Sequence, residues 1–198
     1  MTHLTVANQL TLLRMLLIPA FVLLVLYDEL GWALVALLVA GLTDALDGLI
    51  ARWRRQKTTL GAWLDPMADK LLLTSAFIVL TVPGTALTQR IPLWLTILII
   101  SRDIVIVLTV AIVNLAVGRR TFKPSVLGKA ATAIYIATGL LFMIFNYLER
   151  ASVVLDVSVY ASLAVTLISS LHYILHATRI INAPEGEGQA ARSARPGD

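Results

Sequence analysis

The chain contains no cysteine, which excludes disulfide frameworks, thiolate zinc sites and thiol catalysis together. Charge is scarce as well. Only 14% of the 198 residues are Asp, Glu, Lys or Arg, against 58% hydrophobic, and the mean hydropathy is +0.83. That is more apolar surface than one soluble domain of this length would bury. The charge is also unevenly spread, since residues 71–88, 130–148 and 157–171 carry none. Each of these runs is about long enough to cross most of a hydrocarbon core of roughly 30 Å. A soluble globule is therefore excluded, and the composition is that of an all-α, polytopic membrane protein. The net charge of +4 does not point to nucleic acid. The basic residues lie in short clusters between apolar runs, as in the cytoplasmic loops of membrane proteins, and no nucleic-acid partner is expected.

Hydropathy predicts six helical spans, at roughly 10–27, 31–52, 62–81, 92–117, 126–147 and 154–178. Turn signals separate them: Tyr27-Asp28-Glu29 before Gly31, Val82-Pro83-Gly84, and the stretch from Asn146 to Arg150. No internal repeat is visible. The expected division is one membrane domain, 1–182, and a disordered cytoplasmic tail, 183–198, which lacks apolar periodicity. Arg52, Arg54, Arg55 and Lys57 mark the second connector, and Arg119, Arg120, Lys123 and Lys129 the fourth, whereas the opposite side holds Arg90 and Arg150. The positive-inside rule makes the first set cytoplasmic, and with six spans both termini are cytoplasmic too. The start, Met-Thr-His, is not basic and no small-residue cleavage site follows, so the first span is read as uncleaved. The short chain without a targeting extension points to a bacterial inner (plasma) membrane. Residues 4–14 fit either an N-terminal amphipathic surface helix or the opening turns of the first span.

Four aspartates lie near the cytoplasmic face: Asp44 and Asp47 at the end of the second span, Asp65 and Asp69 at the start of the third. Carboxylates at membrane depth are costly unless paired or bound to a cation. Spacings of three and four residues put each pair on one helical face, with side chains about 5–6 Å apart. The short segment 53–61 makes the two helices antiparallel, so both pairs face a shared space. Four converging carboxylates would repel one another, and a divalent cation resolves the conflict. With oxygen donors, no Cys, and His3, His172 and His176 distant in sequence, the metal is Mg²⁺ or Mn²⁺ rather than zinc. Four carboxylates can hold two such ions, an arrangement suited to displacement at phosphorus. Gly48 and Ala51 are small enough for a ligand to approach the backbone, Arg52 can grip a phosphate, and Gly61 permits close approach. Taken singly, the small residues also fit helix packing in lipid and the basic ones fit topology marking. An ion-coupled transporter is the alternative class, because transporters also bury acids.

The run Asp44-Ala-Leu-Asp47-Gly48-Leu-Ile-Ala51-Arg52, eight further residues, and Gly61-Ala-Trp-Leu-Asp65-Pro-Met-Ala-Asp69 resembles the pattern DxxDGxxARx(8)GxxxDxxxD of the CDP-alcohol phosphatidyltransferases at every fixed position. The resemblance implies six transmembrane helices around a polar, cytoplasm-facing cavity, often in a homodimer. It implies transfer of a phosphatidyl group from CDP-diacylglycerol to an alcohol, with release of CMP. By position, Asp44, Asp47 and Asp65 resemble metal ligands, Gly48 and Arg52 resemble nucleotide and phosphate contacts, and Asp69 resembles a metal ligand that is also the general base. Thr58 falls where related enzymes place a hydroxyl near the nucleotide, and Gly61 joins the CDP-diacylglycerol-binding set.

The shared motif is silent on the acceptor alcohol. Arg102 and Asp103 interrupt the fourth span, and because neighbours on a helix point about 100° apart, they need not pair with each other. Arg102, Lys123 and Lys129 are expected to hold an anionic acceptor. Ile-Ser-Arg102-Asp103 and Phe-Lys123-Pro-Ser-Val-Leu-Gly-Lys129 resemble the branch of phosphatidylglycerophosphate synthases and CDP-alcohol-type cardiolipin synthases. Glycerophosphate-using members carry Glu where Asp103 stands and another Arg about two turns later, while residues 104–117 here hold no charge. Glycerol 3-phosphate ranks first as acceptor and phosphatidylglycerol second, since the start Asn8-Gln-Leu-Thr11-Leu-Leu-Arg14 resembles the glycerophosphate enzymes.

Overall fold

A computed structural model describes residues 6–54, 59–85, 87–117 and 126–181, with side-chain surroundings given for 9–43, 67–85, 87–109, 127–175 and 178. The described residues form an all-helical structure of six helices: α1 Val6–Leu26, α2 Leu30–Arg54, α3 Thr59–Thr81, α4 Leu93–Val117, α5 Val126–Tyr147 and α6 Val153–Ile181. These follow the six predicted spans closely. Three stretches, Gln9–Leu26, Leu127–Tyr147 and Val153–Leu175, are long and apolar enough to cross a membrane, counted among the described residues. Among the described residues, the amphipathic stretch from Val6 onward forms the opening turns of α1. The tail 183–198 lies outside the described residues.

Local chemistry explains where the helices stop. Backbone N–H groups of Asp28 and Glu29 return to the carbonyls of Val25 and Leu24, and those of Glu149 and Arg150 to the carbonyls of Asn146 and Phe145. Both are Schellman closures, with Asp28 (φ 64) and Glu149 (φ 51) in the left-handed conformation that glycine usually supplies. Between α3 and α4 the turn is made by Pro83 and Gly84 (φ 103), and Pro92 precedes the first residue of α4, where its missing N–H costs nothing.

α1 packs on α2 and α3, α5 packs on the same two helices and on α6, and α4 packs on α3 and α6. Small buried residues Ala33, Ala36 and Ala40 recur along one face of α2, which allows close helix approach. At its start, a Cβ on Gly31 would lie 3.2 Å from the Tyr147 ring at the end of α5. Asn146, 1% exposed, ties the α3–α4 connector to the same end of α5. Its Oδ1 accepts from the Gln89 N–H at 2.9 Å, and its Nδ2 donates to the Gln89 and Phe142 carbonyls, each at 2.8 Å. The start of α2 and the end of α3 therefore meet the same end of α5, so α2 and α3 run antiparallel as predicted.

Hydroxyls join α5 to α6. Tyr135 Oη and Thr166 Oγ1 are 2.6 Å apart, and Thr138 Oγ1 and Ser162 Oγ 2.9 Å. Apolar side chains such as Leu16, Trp32, Leu93 and Val153 point outward, the surface a bilayer would cover.

Candidate active site

α2 carries Asp44, Asp47, Gly48 and Arg52 in its last three turns, and α3 carries Gly61, Asp65 and Asp69 in its first three. Both helices pack against α1 and α5, and α2, α3 and α5 together line one cavity. Thr58 and Lys123 lie outside the described residues, as do the surroundings of Asp44, Asp47, Gly48, Arg52, Gly61 and Asp65. Asp69 is the member of the set whose carboxylate can be followed.

That carboxylate, 37% exposed, borders a cavity of about 160 Å³ enclosed by α2, α3 and α5. The walls are apolar, with Leu37, Gly41, Leu72, Phe77, Ile136 and Gly139 among them, while Thr132 and Tyr135 add hydroxyls. The Phe77 and Tyr135 rings meet edge to face, with centroids 6.0 Å apart. The resemblance implied a polar chamber, whereas the part formed by described side chains is an apolar pocket with one carboxylate on its border. A pocket of this kind suits an alkyl chain whose polar end lies at Asp69.

Arg14 of α1 donates from Nη1 to Asp69 Oδ1, and its side chain is fully buried. A buried guanidinium needs a hydrogen-bonded anion, and α1 is held in place for this by Ile18, Phe21 and Val25 in the core. In the sequence Arg14 enters as the end of the run 8–14 that resembles the glycerophosphate enzymes, with no partner assigned to it. A charge four residues into an apolar helical pattern was the signal that it has a partner inside the protein.

Arg102 and Asp103 do pair, contrary to what their angular separation suggested. Arg102 Nη1 donates to Asp103 Oδ1 at 2.7 Å, because the long Arg side chain curls back to its neighbour. Arg102 Nη2 donates to Ser169 of α6, and Lys70 Nζ of α3 stands 3.6 Å from Asp103 Oδ2. Lys129 is exposed near the start of α5 and takes no part in this cluster. Lys70 and Ser169 were not singled out in the sequence, although Ser158, Ser162, Thr166 and Ser169 recur at helical spacing and are all buried.

Among the described side chains no three acids or histidines converge as a metal site. The donor chemistry is nevertheless compatible with a divalent cation. Asp69 already attracts a cationic partner, and the companions the sequence supplies are all carboxylates, the hard donors Mg²⁺ and Mn²⁺ prefer.

The profile of the CDP-alcohol phosphatidyltransferase family matches residues 4–171, nearly all of the helical region. The chain belongs to this family. Among its relatives are the CMP-forming cardiolipin synthase of Rattus norvegicus, 32% identical over 92% of this chain and 65% of the relative, and a probable phosphatidylglycerophosphate synthase of Mycobacterium tuberculosis, 36% identical over 88% of this chain and 82% of the relative. The CMP-forming cardiolipin synthase of Streptomyces coelicolor is 36% identical over 65% of this chain and 60% of its own length. The chain thus spans just under two thirds of the two cardiolipin synthases. Kinship makes it a phosphatidyltransferase of phospholipid synthesis, and the relatives divide over the acceptor.

Proposed function

We propose that this phosphatidyltransferase moves the phosphatidyl group of CDP-diacylglycerol onto the hydroxyl of an anionic, glycerol-bearing alcohol. Glycerol 3-phosphate ranks first on the sequence pattern, and phosphatidylglycerol is the other candidate. The observation that carries the reading is Asp69, set by Arg14 on the border of an apolar pocket, on the helix that holds half of the family motif. A carboxylate there can meet the polar end of a lipid whose chains stay among apolar side chains.

In this reading the acceptor oxygen attacks the β-phosphorus of CDP-diacylglycerol, and its proton passes to Asp69. The bond from that phosphorus to the bridging oxygen breaks, and CMP leaves with the electron pair. Asp44, Asp47, Asp65 and Asp69 would hold one or two Mg²⁺ or Mn²⁺ ions, which when bound neutralise charge on the pyrophosphate. Gly48, Thr58 and Gly61 would lie along the nucleotide, Arg52 against a phosphate, and Arg102, Lys123 and Lys129 toward the acceptor. All six helices would cross a bacterial inner membrane around a cytoplasm-facing chamber, with both termini cytoplasmic and two copies forming a homodimer. A site at the membrane surface explains how a water-soluble leaving group and a lipid product part company.

The test incubates purified protein with CDP-diacylglycerol, Mg²⁺ or Mn²⁺, and each acceptor in turn, and follows CMP and the lipid products. Release of CMP that needs both metal and acceptor is expected. Metal-independent release, or none with any polar acceptor, rejects the reading.

A further inference from the structure

Gly31, Gly41 and Gly139 differ in what surrounds them. A Cβ on Gly31 would crowd the Tyr147 ring at 3.2 Å, so this glycine serves close helix packing. Gly41 of α2 and Gly139 of α5 do not. A Cβ built on either meets no atom of the described residues within 4 Å, although Gly139 is itself buried. Both line the cavity beside Asp69. Counted from the Gly31–Tyr147 contact at the helical rise, Gly41 lies about 15 Å along α2 and Gly139 about 12 Å along α5. They therefore sit within a turn of the same level on two helices that pack together, and they keep open a space that any larger side chain would narrow.

The cavity extends in two directions from there. Asp69 stands at one end, and α3 lines the wall from Asp69 through Leu72 to Phe77, about 12 Å along the helix. α5 runs the same way as α3, because its end meets the connector that follows α3, through Asn146 and Gln89. Gly139, about 10 Å beyond the lining residue Thr132 along α5, thus lies toward the end away from Asp69. Sideways, Leu38 and Leu42 line the cavity and are also 40% and 60% exposed on the outer surface. Apolar walls that reach the bilayer-facing surface and end at a carboxylate of the family motif fit an acyl chain covalently tied to a phosphate. CDP-diacylglycerol brings such a chain whichever acceptor is used.

We propose that one acyl chain of CDP-diacylglycerol enters sideways between α2 and α5 and lies along Gly41 and Gly139, which set the length and width of chain that the enzyme accepts. The proposal rests on the phosphatidyltransferase reading and adds two specificity-determining residues outside the aspartate motif. Gly139 meets the lipid tail far from the reacting phosphorus, so its replacement changes which CDP-diacylglycerol is used and leaves the chemistry performed on it alone.

The experiment places the full chain in phosphatidylcholine nanodiscs. It compares kcat/KM for CDP-diacylglycerol with two oleoyl chains and with two hexanoyl chains, which end short of Gly139, using the acceptor that supports turnover. Gly139→Leu fills the space and lowers the oleoyl value by about tenfold, the worth of roughly two methylenes that lose their burial. The hexanoyl value stays within about twofold. Gly41→Leu moves the ratio in the same direction, and Gly31→Ala, at a packing contact, leaves it where it is. A second readout separates substrate from bilayer lipid. CDP-diacylglycerol with a diazirine midway along one acyl chain labels α2 and α5 around Gly41 and Gly139, excess unlabelled CDP-diacylglycerol suppresses the label, and Gly139→Leu abolishes it. A ratio unmoved in either leucine variant overturns the proposal. So does labelling that phosphatidylcholine with the same diazirine chain reproduces and CDP-diacylglycerol does not displace, since the cavity then holds bilayer lipid. Should Gly139→Leu fail a thermal-melt check of folding, Gly41→Leu and labelling of the wild type decide. If the wild type releases no CMP from either CDP-diacylglycerol with any acceptor, the phosphatidyltransferase reading itself has failed and the chain proposal goes with it. CMP release with an unmoved ratio removes the chain proposal alone.

Discussion

Arg14 and Asp69, 55 residues apart in the chain, form a salt bridge between α1 and α3 in which the guanidinium is fully buried and the carboxylate remains partly open to the cavity. The asymmetry matters for both partners. The cation has no water to fall back on, and the anion keeps an open side for a ligand.

Replacing Arg14 by Met should therefore harm activity more than stability. Removing one partner of a buried pair costs about 3–5 kcal/mol, but an exposed pair costs under about 1. With Asp69 37% exposed, a loss of about 1–3 kcal/mol is expected. Arg14→Lys keeps the charge without the planar fork and should fall between Met and wild type in CMP release. Thermal melts and CMP release on the same preparations check both statements. An Arg14→Met protein with full turnover would show that Asp69 does not need this partner.

Asn146 should be among the most sensitive structural positions outside the site. It accepts from the Gln89 N–H and donates to the Gln89 and Phe142 carbonyls, so truncation to Ala strands buried backbone groups at about 1–3 kcal/mol each. We expect a clearly lowered melting temperature for Asn146→Ala, with the remaining folded fraction keeping its acceptor preference because the residue is remote from Asp69. An unchanged melt would mean that water replaces these bonds at no cost.

Asp28 and Glu149 predict the opposite sign. Each holds a left-handed φ, 64° and 51°, where a Cβ is unfavourable by about 1 kcal/mol or somewhat more. Asp28→Gly and Glu149→Gly should each raise stability slightly, by less than that amount, since glycine also gains freedom in the unfolded chain. A drop in melting temperature for either would show that its side chain makes a compensating contact.

Much of this architecture was legible in the sequence. The helix ends were readable because local chemistry fixes them: Asp28-Glu29 and Glu149-Arg150 interrupt apolar runs, and Pro83-Gly84 cannot continue a helix. The antiparallel setting of α2 and α3 followed from the short segment between them. Long-range pairings were another matter. Nothing in the periodicity of α1 says that Arg14 reaches α3, because that depends on which faces pack. Arg102 and Asp103 show a second limit, since a backbone angle of about 100° between neighbours does not constrain side chains long enough to bend toward each other. The apolar character of the pocket beside Asp69 was also unread, as it is assembled from α2, α3 and α5 together.

If Asp69 takes the acceptor proton during phosphatidyl transfer, Asp69→Asn disables that step. The amide preserves shape and an oxygen but cannot accept the proton, so CMP release from CDP-diacylglycerol should fall by at least about 10², while CDP-diacylglycerol still raises the melting temperature of the variant. Near-normal CMP release by Asp69→Asn would contradict the account and leave Asp69 as no more than the structural partner of Arg14.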